Sequence, residues 1–426
     1  MKERIKASAL LYAVTIALLV GMVLGSMVLL THFRGLHAER WLVHERVASN
    51  ARSASYAALY GDPTNDGFDL HVDLFGDGSD SAEVRITPWG GLDLIRSRAW
   101  HADQQATVTG YGGYQFRDDV VLDLARTAGP LHLCGDARLV GDVRVPMADV
   151  RRGHIEGRPF TGDELVHGRI LRSGEEHGTI RINLAERVQK LCGGSPWEEE
   201  NPIGLLQDGV YRSDLNGTDA LPVLIFTGRT HLTGFDLRGP VIIRCNDSLS
   251  LDADNSMEMV IIQAPFITID PGAMISAQCF ASLGIAVGEG AELRFPSLLA
   301  VWRDDRRSDA ARIILSENAL VVGGVIAIDR SIRGRQEGSV SIASGSHIHG
   351  EVYAEGGVQM QGEINGTLTA REFTLRTPAS VYRGHLLDGT IQGYGLDAPW
   401  GFGITNASNT RTILQWGKTE HRPRNG

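Results

Sequence analysis

The sequence lacks the features that mark several common classes of protein. Its four cysteines, Cys134, Cys192, Cys245 and Cys279, lie far apart and form no CxxC pair, so no zinc site is expected. Lys and Arg number 41 against 51 Asp and Glu, and the net charge of −10 gives no electrostatic reason to expect nucleic acid as a partner. The cysteines leave two alternatives open, namely two disulfides in an oxidising compartment or four free buried thiols.

Aromatic residues are also scarce at 7%, whereas glycine is abundant at 51 of 426 residues. Glycine makes up about 7% of an average protein, so this content indicates many tight turns between short strands. The chain is long enough for more than one domain. We expect five segments: a membrane-spanning helix in 1–60, a small antiparallel β region in 61–130, an irregular Gly-rich β region in 131–220, a β-helix in 221–390 and a tail in 391–426.

The N-terminus has one long apolar run. ASALLYAVTIALLVGMVLGSMVLLT, from Ala7 to Thr31, carries no charge over 25 residues. As a helix it is roughly 37 Å long, enough to cross a bilayer. A cleaved secretory signal has a shorter apolar core and a small-x-small site, and neither fits well here. We therefore predict a retained lipid-bilayer anchor, whose representative residues are Ala7, Leu11, Leu18, Leu24 and Leu30.

Basic residues flank this run on both sides, with Arg34, Arg40 and Arg46 after it, so its orientation is predicted from the short leader and the large region that follows. A short basic leader with Lys2, Arg4 and Lys6 precedes it, and a large region follows it. This arrangement favours a single-pass protein of the inner membrane with its C-terminal region in the periplasm or outside the cell.

A second pattern continues the helix beyond the apolar run. Apolar residues recur at steps of four, four, three and four, which draws one stripe on a helix and predicts a packing face. Its members are Val43, Val47, Ala51, Ala54 and Ala58. Gly61-Asp62-Pro63 supplies stop signals, so one helix from about Lys6 to Tyr60 is predicted. The alternative is a span followed by a separate amphipathic helix, kinked near Gly35.

The apolar span followed by ERWLVHERVASNARSASYAALY resembles the N-terminal helix of type IV pilus minor pilins and type II secretion pseudopilins. The resemblance covers about the first 60 residues, and no Gly-Phe processing site precedes the span. It implies a structural component of a pilus-like assembly, whose packing face contacts the helices of partner proteins.

A repeat occupies the C-terminal half. Short alternating strands each offer two inward apolar positions, at steps of 18, 18, 28, 27 and 18 residues. The pairs are Leu249 and Leu251, Ile267 and Ile269, Ile285 and Val287, Ile313 and Leu315, Val340 and Ile342, and Val358 and Met360. The longer steps contain the charged insertions WRDDRRSDA and DRSIRGRQEG. Without them, one 18-residue period covers about 120 residues.

Two further apolar positions follow the same register. The second lies eight residues after the first, at Met257, Ile275, Leu293, Val321 and Ile348. The third lies thirteen residues after the first, at Ile262, Phe280, Leu298 and Ile326. Three short strands per period, separated by turns, predict one coil of a β-solenoid, so the fold class is mainly β with a long N-terminal transmembrane helix.

This 18-residue repeat resembles that of bactofilins, the bacterial β-helical scaffold proteins. The resemblance implies a structural protein that presents a β-helix, with self-association as a second partnership. A polymer-forming scaffold is one alternative function, and a glycan-binding or glycan-cleaving β-helix is another.

Catalysis needs clustered side chains, and the candidates have simpler interpretations. Asp252 and Asp270 are equivalent one coil apart, but both lie in turn motifs. Asp304 and Asp305 sit among arginines, as in a solvated ion-pair loop. Ser195 lacks the GxSxG context of a nucleophile. We predict no enzymatic activity and no cofactor.

Two sets of residues are candidate metal ligands. His347 and His349 share one strand face, but the sequence supplies no third ligand. Asp69, Asp73, Asp77 and Asp80 match no calcium-loop spacing, and turn formation next to glycine explains them better. We predict no metal site.

Overall fold

A computed structural model describes most of the chain. The described residues are 4–60, 68–73, 80–114, 120–125, 129–173, 178–193, 200–202, 209–212, 221–303, 311–330, 339–394, 401–405, 411–417 and 419–423.

The described elements are two helices and 32 strands. The helices are α1 (Arg4–Leu59) and α2 (Ile182–Cys192). The strands are β1 (Phe68–Asp73), β2 (Asp80–Trp89), β3 (Leu92–His101), β4 (Gln104–Tyr114), β5 (Leu122–Leu124), β6 (Leu131–Cys134), β7 (Arg138–Val140), β8 (Val143–Val145), β9 (Val150–Arg152), β10 (His154–Ile155), β11 (Arg158–Pro159), β12 (Ile170–Arg172), β13 (Glu200–Pro202), β14 (Val210–Arg212), β15 (Leu221–Phe226), β16 (Thr230–Leu232), β17 (Asp236–Cys245), β18 (Ser248–Leu251), β19 (Ser256–Ile269), β20 (Met274–Ile275), β21 (Ala277–Val287), β22 (Glu292–Arg303), β23 (Arg312–Leu315), β24 (Leu320–Asp329), β25 (Val340–Ile342), β26 (His347–Met360), β27 (Glu363–Arg376), β28 (Val381–Arg383), β29 (His385–Leu387), β30 (Thr390–Gln392), β31 (Arg411–Trp416) and β32 (Glu420–Pro423).

The prediction of a mainly β chain with one long apolar N-terminal helix is confirmed. The chain divides into two compact units rather than the five predicted segments. The first unit comprises Met1–Ile86, Ile95–Thr109 and Trp416–Gly426, and the second comprises Thr87–Leu94 and Gly110–Gln415. Neither unit is continuous in sequence, because strands near the chain ends pair with strands far from them.

The first unit combines α1 with antiparallel strands. β1 pairs antiparallel with β2, and β32 pairs antiparallel with β4. The α1 residues that pack in this unit follow the predicted apolar stripe, and Val47, Ala51 and Ala54 are fully buried. Small side chains at these positions let the helix approach its neighbours closely.

The second unit contains one closed, mainly parallel system of strands that runs from β12 to β28 and includes β5, β7, β8 and β30. Most strands pair with the strand one repeat later, so the same side of the chain faces inward in every repeat. The core of the system is a continuous aliphatic cluster that includes residues from all three predicted apolar positions.

The first aliphatic row lies in the predicted register. Leu249 pairs with Ile267 and Leu251 with Ile269, and the pairing continues through the later repeats to Val358 and Met360. All twelve residues of the row are buried, with no more than 3% of any of them exposed. Parallel pairing at about 4.8 Å puts their side chains one above the other.

The residues of the second row also pair in register, and the row extends further along the chain than predicted. Leu293 pairs with Val321, and Val321 pairs with Ile348. The row then continues through Ile364 and Ile391.

The third row differs from the predicted one. Ile262 pairs with Cys279 rather than Phe280, and Cys279 pairs with Leu299 rather than Leu298. Register shifts interrupt β19 and β22, so the steps along this row are unequal. Because successive side chains alternate between faces, a slip of one residue turns Phe280, Leu298 and Ile326 to the outer face of the strands.

Residues 120–172 add strands to the C-terminal end of the same system. Leu122 pairs with Leu368, and Leu139 pairs with Ile391. Val143 of β8 then pairs with both Leu122 and Ile170. The predicted boundary at residue 221 therefore does not separate these strands from the C-terminal repeats.

Helix α2 covers part of the outer face. Leu184, Val188 and Leu191 follow helical spacing and are buried in a second cluster with Phe280 and Leu298. A buried polar contact also holds the helix in place, since the side-chain amide of Gln263 donates a hydrogen bond to the Leu191 carbonyl at 3.2 Å.

Candidate functional site

The N-terminal part of α1 exposes a long run of large apolar side chains. Leu11, Leu18, Leu24 and Leu30 are each at least half exposed, while Ala7 lies in the helix outside the residues whose side chains are described. The helix is long and apolar enough to cross a membrane, a criterion that an N-terminal signal sequence also satisfies. Apolar side chains exposed in this number require a lipid or protein environment.

The packing face of α1 is occupied by the chain itself. Val47, Ala51, Ala54 and Ala58 are at most 4% exposed, and Val43 is half-buried. The expectation that this face contacts partner helices is therefore corrected. Intramolecular packing already removes the stripe from water, so it offers no apolar surface to another protein.

Asp80, the first residue of β2, holds α1 in the first unit. Its side chain is completely buried and accepts hydrogen bonds from Arg46 and Asn50 of the helix, the latter at 2.9 Å. His101 of β3 lies on the same carboxylate, with Nδ1 at 3.1 Å from Oδ1. One buried carboxylate thus joins the helix to two strands. Arg46 and Asn50 are four residues apart, which places both on one face of the helix.

Aromatic contacts extend this attachment along the helix. The imidazole rings of His44 and His421 stack with centroids 4.7 Å apart, and burial together with His44 lowers the pKa of His421. Near the end of the helix, Tyr56 meets Trp416 edge-on at 5.8 Å. The attachment therefore involves strands from both ends of the sequence.

Of the four aspartates considered for calcium, Asp80 has a well-defined set of protein partners. Asp80 is engaged by Arg46, Asn50 and His101, which leaves no room for a cation on its carboxylate. Asp77 lies outside the described residues. Among the residues that the structure describes, no group of three or more His, Cys, Asp or Glu side chains could hold a metal ion.

Asp252 and Asp270 follow the paired residues Leu251 and Ile269, so they lie at equivalent places in adjacent strands. Asp252 accepts a hydrogen bond from the backbone N–H of Ala253 at 2.6 Å, and Asp270 accepts one from the Ser250 hydroxyl at 2.9 Å. The bond of Asp252 to the next residue is that expected of a turn residue, whereas the bond of Asp270 joins it to the neighbouring strand β18.

His347 and His349 lie on β26, as their spacing predicted. Nδ1 of His347 is 3.4 Å from the carboxylate of Glu363, its register partner on β27. His349 pairs with Asn365 in the same register. Ser195, Asp304 and Asp305 lie outside the described residues.

The four cysteines are free and buried. Burial raises the pKa of the Cys279 thiol to about 12, and burial with the nearby Asp388 raises that of Cys134 to about 11. The pKa of Cys192 is raised as well by burial. Thiols of this kind stay protonated at neutral pH and react slowly.

No sequence pattern pointed to Glu351 of β26, a buried ionisable group. Its buried carboxylate accepts hydrogen bonds from the backbone N–H groups of Gly403 at 2.8 Å and Ile404 at 2.5 Å. Arg181 donates to the carbonyls of the same segment, to Gly403 at 2.6 Å and Phe402 at 3.0 Å. Glu351 and Arg181 together fix residues 401–405 against the outer face of the strands.

A second buried ionic group lies in the same unit. Asp93 accepts hydrogen bonds from Arg187 of α2 at 2.8 Å and from Arg411 of β31. Arg411 is 7% exposed and Asp93 is 2% exposed. Because breaking a buried pair leaves an uncompensated charge, this contact locks α2 and β31 to the start of β3.

The pH dependence of stability tests the role of Glu351. Burial raises its pKa to about 7, above the usual value of 4.5, despite the opposing backbone hydrogen bonds. A raised carboxyl pKa favours the folded protein below the unfolded value, and this contribution is lost as pH rises through about 7. We expect the difference in free energy of unfolding between wild type and Glu351→Gln to change by about 3 kcal/mol between pH 4.5 and 8.

Urea unfolding across this pH range measures the difference. Glu355→Gln is the matched control, because Glu355 lies on the same strand but is partly exposed and paired with Arg330 at 3.0 Å. If the free energies of unfolding of wild type and Glu351→Gln changed with pH in parallel, the raised pKa of Glu351 would be contradicted.

Comparisons with known proteins show little similarity. Neither a family model nor a curated protein matches the sequence. Among solved structures, the chain is similar to the competence-associated pilin ComZ from Thermus thermophilus, over 89% of this chain and 97% of that chain, with 9% sequence identity and a TM-score of 0.18. A TM-score this low carries no argument about fold or function.

Proposed function

We propose that the protein is a single-pass, membrane-anchored structural component of a bacterial pilus-like or other cell-envelope assembly, which presents a β-solenoid outside the inner membrane. One observation carries the proposal: α1 is a single unbroken helix whose first half exposes apolar side chains and whose second half is built into the first unit. The membrane span is therefore joined rigidly to a folded unit, without a linker.

The solenoid interpretation is supported by the parallel register of the second unit. Successive repeats contribute residues to the same aliphatic rows, and hydrogen-bonded ladders join one repeat to the next. In a solenoid each coil contacts mainly its neighbours, and insertions at the corners leave the ladder intact. Such a stack is stiff, which suits a structural part.

A structural role agrees with the surroundings of the candidate carboxylates. Asp252 bonds to the backbone of the next residue, Asp270 bonds to Ser250 of the neighbouring strand, and the buried Glu351 and Asp93 hold segments of the chain together. The packing face of α1 is covered, so partner proteins would contact the exposed apolar part of α1 or the outer surfaces of the strands.

Membrane extraction and crosslinking test the proposal. The tagged full-length protein should remain in the membrane pellet after carbonate washing, whereas Leu18→Arg with Leu24→Arg should release it, since arginine at the centre of a span is costly. Leu283→Arg is the control, because Leu283 is an exposed residue of β21.

The outcomes separate the alternatives. Crosslinked envelope or pilin-like proteins would support the assembly role, and filaments of the purified full-length protein would favour a polymer-forming scaffold. A soluble mature protein whose mass shows cleavage after the apolar run would contradict the anchor.

A further inference from the structure

We propose that α1 carries a second membrane contact, a face of residues 32–42 that binds anionic phospholipid headgroups and sets the direction in which the helix tilts. This interfacial face consists of Phe33, Arg34, Leu36, His37, Arg40 and Trp41. The proposal rests on the membrane anchoring proposed above and adds the lipid class and the side of the helix that it recognises.

Helical geometry groups these residues on one side. At 3.6 residues per turn, successive side chains are about 100° apart, so the six fall within an arc of about 160°. Glu39 lies roughly opposite the centre of this arc, which His37 occupies. The two arginines therefore share a face with three apolar or aromatic side chains, while the acidic residue is directed away from it.

The interfacial face is uncovered in the folded chain. Trp41 is 66% exposed and Phe33 is 51% exposed, although Val47, less than two turns beyond Trp41, is completely buried. The arginines of the face are exposed too. The uncovered surface is continuous with the apolar run, so the bilayer that receives the run lies next to it.

The residue types fit phospholipid headgroups. Tryptophan is enriched where a membrane meets water, because its ring is apolar and its N–H is polar. Arginine binds phosphate through two parallel hydrogen bonds, and its aliphatic stem can remain in the apolar layer. The whole chain carries a net charge of −10, so a basic face is a local exception that overcomes repulsion from an anionic membrane.

The length of the span explains why one side is favoured. The uncharged run from Ala7 to Thr31 is roughly 37 Å long against a hydrocarbon core of about 30 Å, so the helix must tilt. Tilt brings one side of the following turns toward the headgroups, and interfacial aromatic and basic residues decide which side.

Spin labels on the full-length protein in nanodiscs test the proposal. The four native cysteines are buried, so a single introduced thiol is labelled selectively. His37→Cys reports the interfacial face, and Glu39→Cys, at nearly the same depth, is the matched control. In phosphatidylcholine with phosphatidylglycerol we expect the label at 37 to be shielded from a water-soluble nickel complex and the label at 39 to be accessible.

Replacing both Arg34 and Arg40 with glutamine should abolish the difference between the two labels, as should nanodiscs of phosphatidylcholine alone. Equal accessibility in protein that resists carbonate extraction would overturn this inference and leave the anchor standing. Spin–spin broadening at 37 would overturn it in favour of a second copy of the chain. Loss of the protein from membranes would refute the anchor itself.

Discussion

Gly350→Ala should lower the free energy of unfolding by about 4 kcal/mol, the largest effect of a single methyl group that we expect in this protein. Gly323, Gly350 and Gly366 pair in register on β24, β26 and β27 and form a glycine column across the three strands. A Cβ on Gly350 would lie well under 3.0 Å from the backbone carbonyl oxygen of Gly323. A carbonyl in a paired strand cannot move without breaking the hydrogen bonds between the strands. The strain of the added methyl group therefore cannot be relieved by a small local shift.

Urea unfolding and hydrogen exchange of β24, β26 and β27 measure the effect. Gly290→Ala is the matched control, since Gly290 has a φ of +63° but open space around its Cβ position. It should cost about 1 kcal/mol, the strain of a left-handed backbone alone. Equal losses for the two variants would show that the glycine column is not packed as closely as the structure places it.

The sequence predicted the elements whose signals are local. The pattern predicts α1 from about Lys6 to Tyr60 and the helix spans Arg4–Leu59, because the apolar run, the stripe and the stop signals that follow are all local in sequence. The first aliphatic row was aligned from an 18-residue period, and the structure pairs Leu249 with Ile267 in that register. There the turn after each strand has nearly constant length, so sequence spacing and spatial spacing agree.

The third row could not be placed from apolar spacing alone. Phe280 is as fully buried as Cys279, although the two side chains face opposite sides of β21. Helix α2 covers the outer face there, so both faces of the strand are apolar and the alternation that reveals register is absent. The register shifts in β19 and β22 then move the row away from a constant period.

Pairing across long sequence separations was also missed. Leu122 and Leu368 are register partners, yet neither segment carries a sequence signal that identifies the other as its partner. The same holds for Glu351, whose partners Gly403 and Ile404 are backbone groups and carry no side-chain signal. Contacts of this kind are fixed by the closed fold and not by local propensity.

Asp80→Ala should release the second half of α1 from the first unit, at a cost of about 3 kcal/mol. The substitution leaves Asn50, which is 8% exposed, without its acceptor, and removes the counter-charge of Arg46. Buried donors that lose their partner carry the full desolvation cost. Amides in residues 43–59 should therefore exchange hydrogen much faster, while those of β24 and β26 keep wild-type rates.

Arg46→Ala is the matched control for this attachment. The Arg46 side chain is 49% exposed, so its removal costs about 1 kcal/mol and leaves Asp80 with Asn50 and His101. If Asp80→Ala exchanged no faster than Arg46→Ala in residues 43–59, the apolar packing of Val47, Ala51 and Ala54 would be sufficient to hold the helix. Faster exchange in Asp80→Ala would show that one buried carboxylate makes the two halves of α1 and the folded unit a single rigid part.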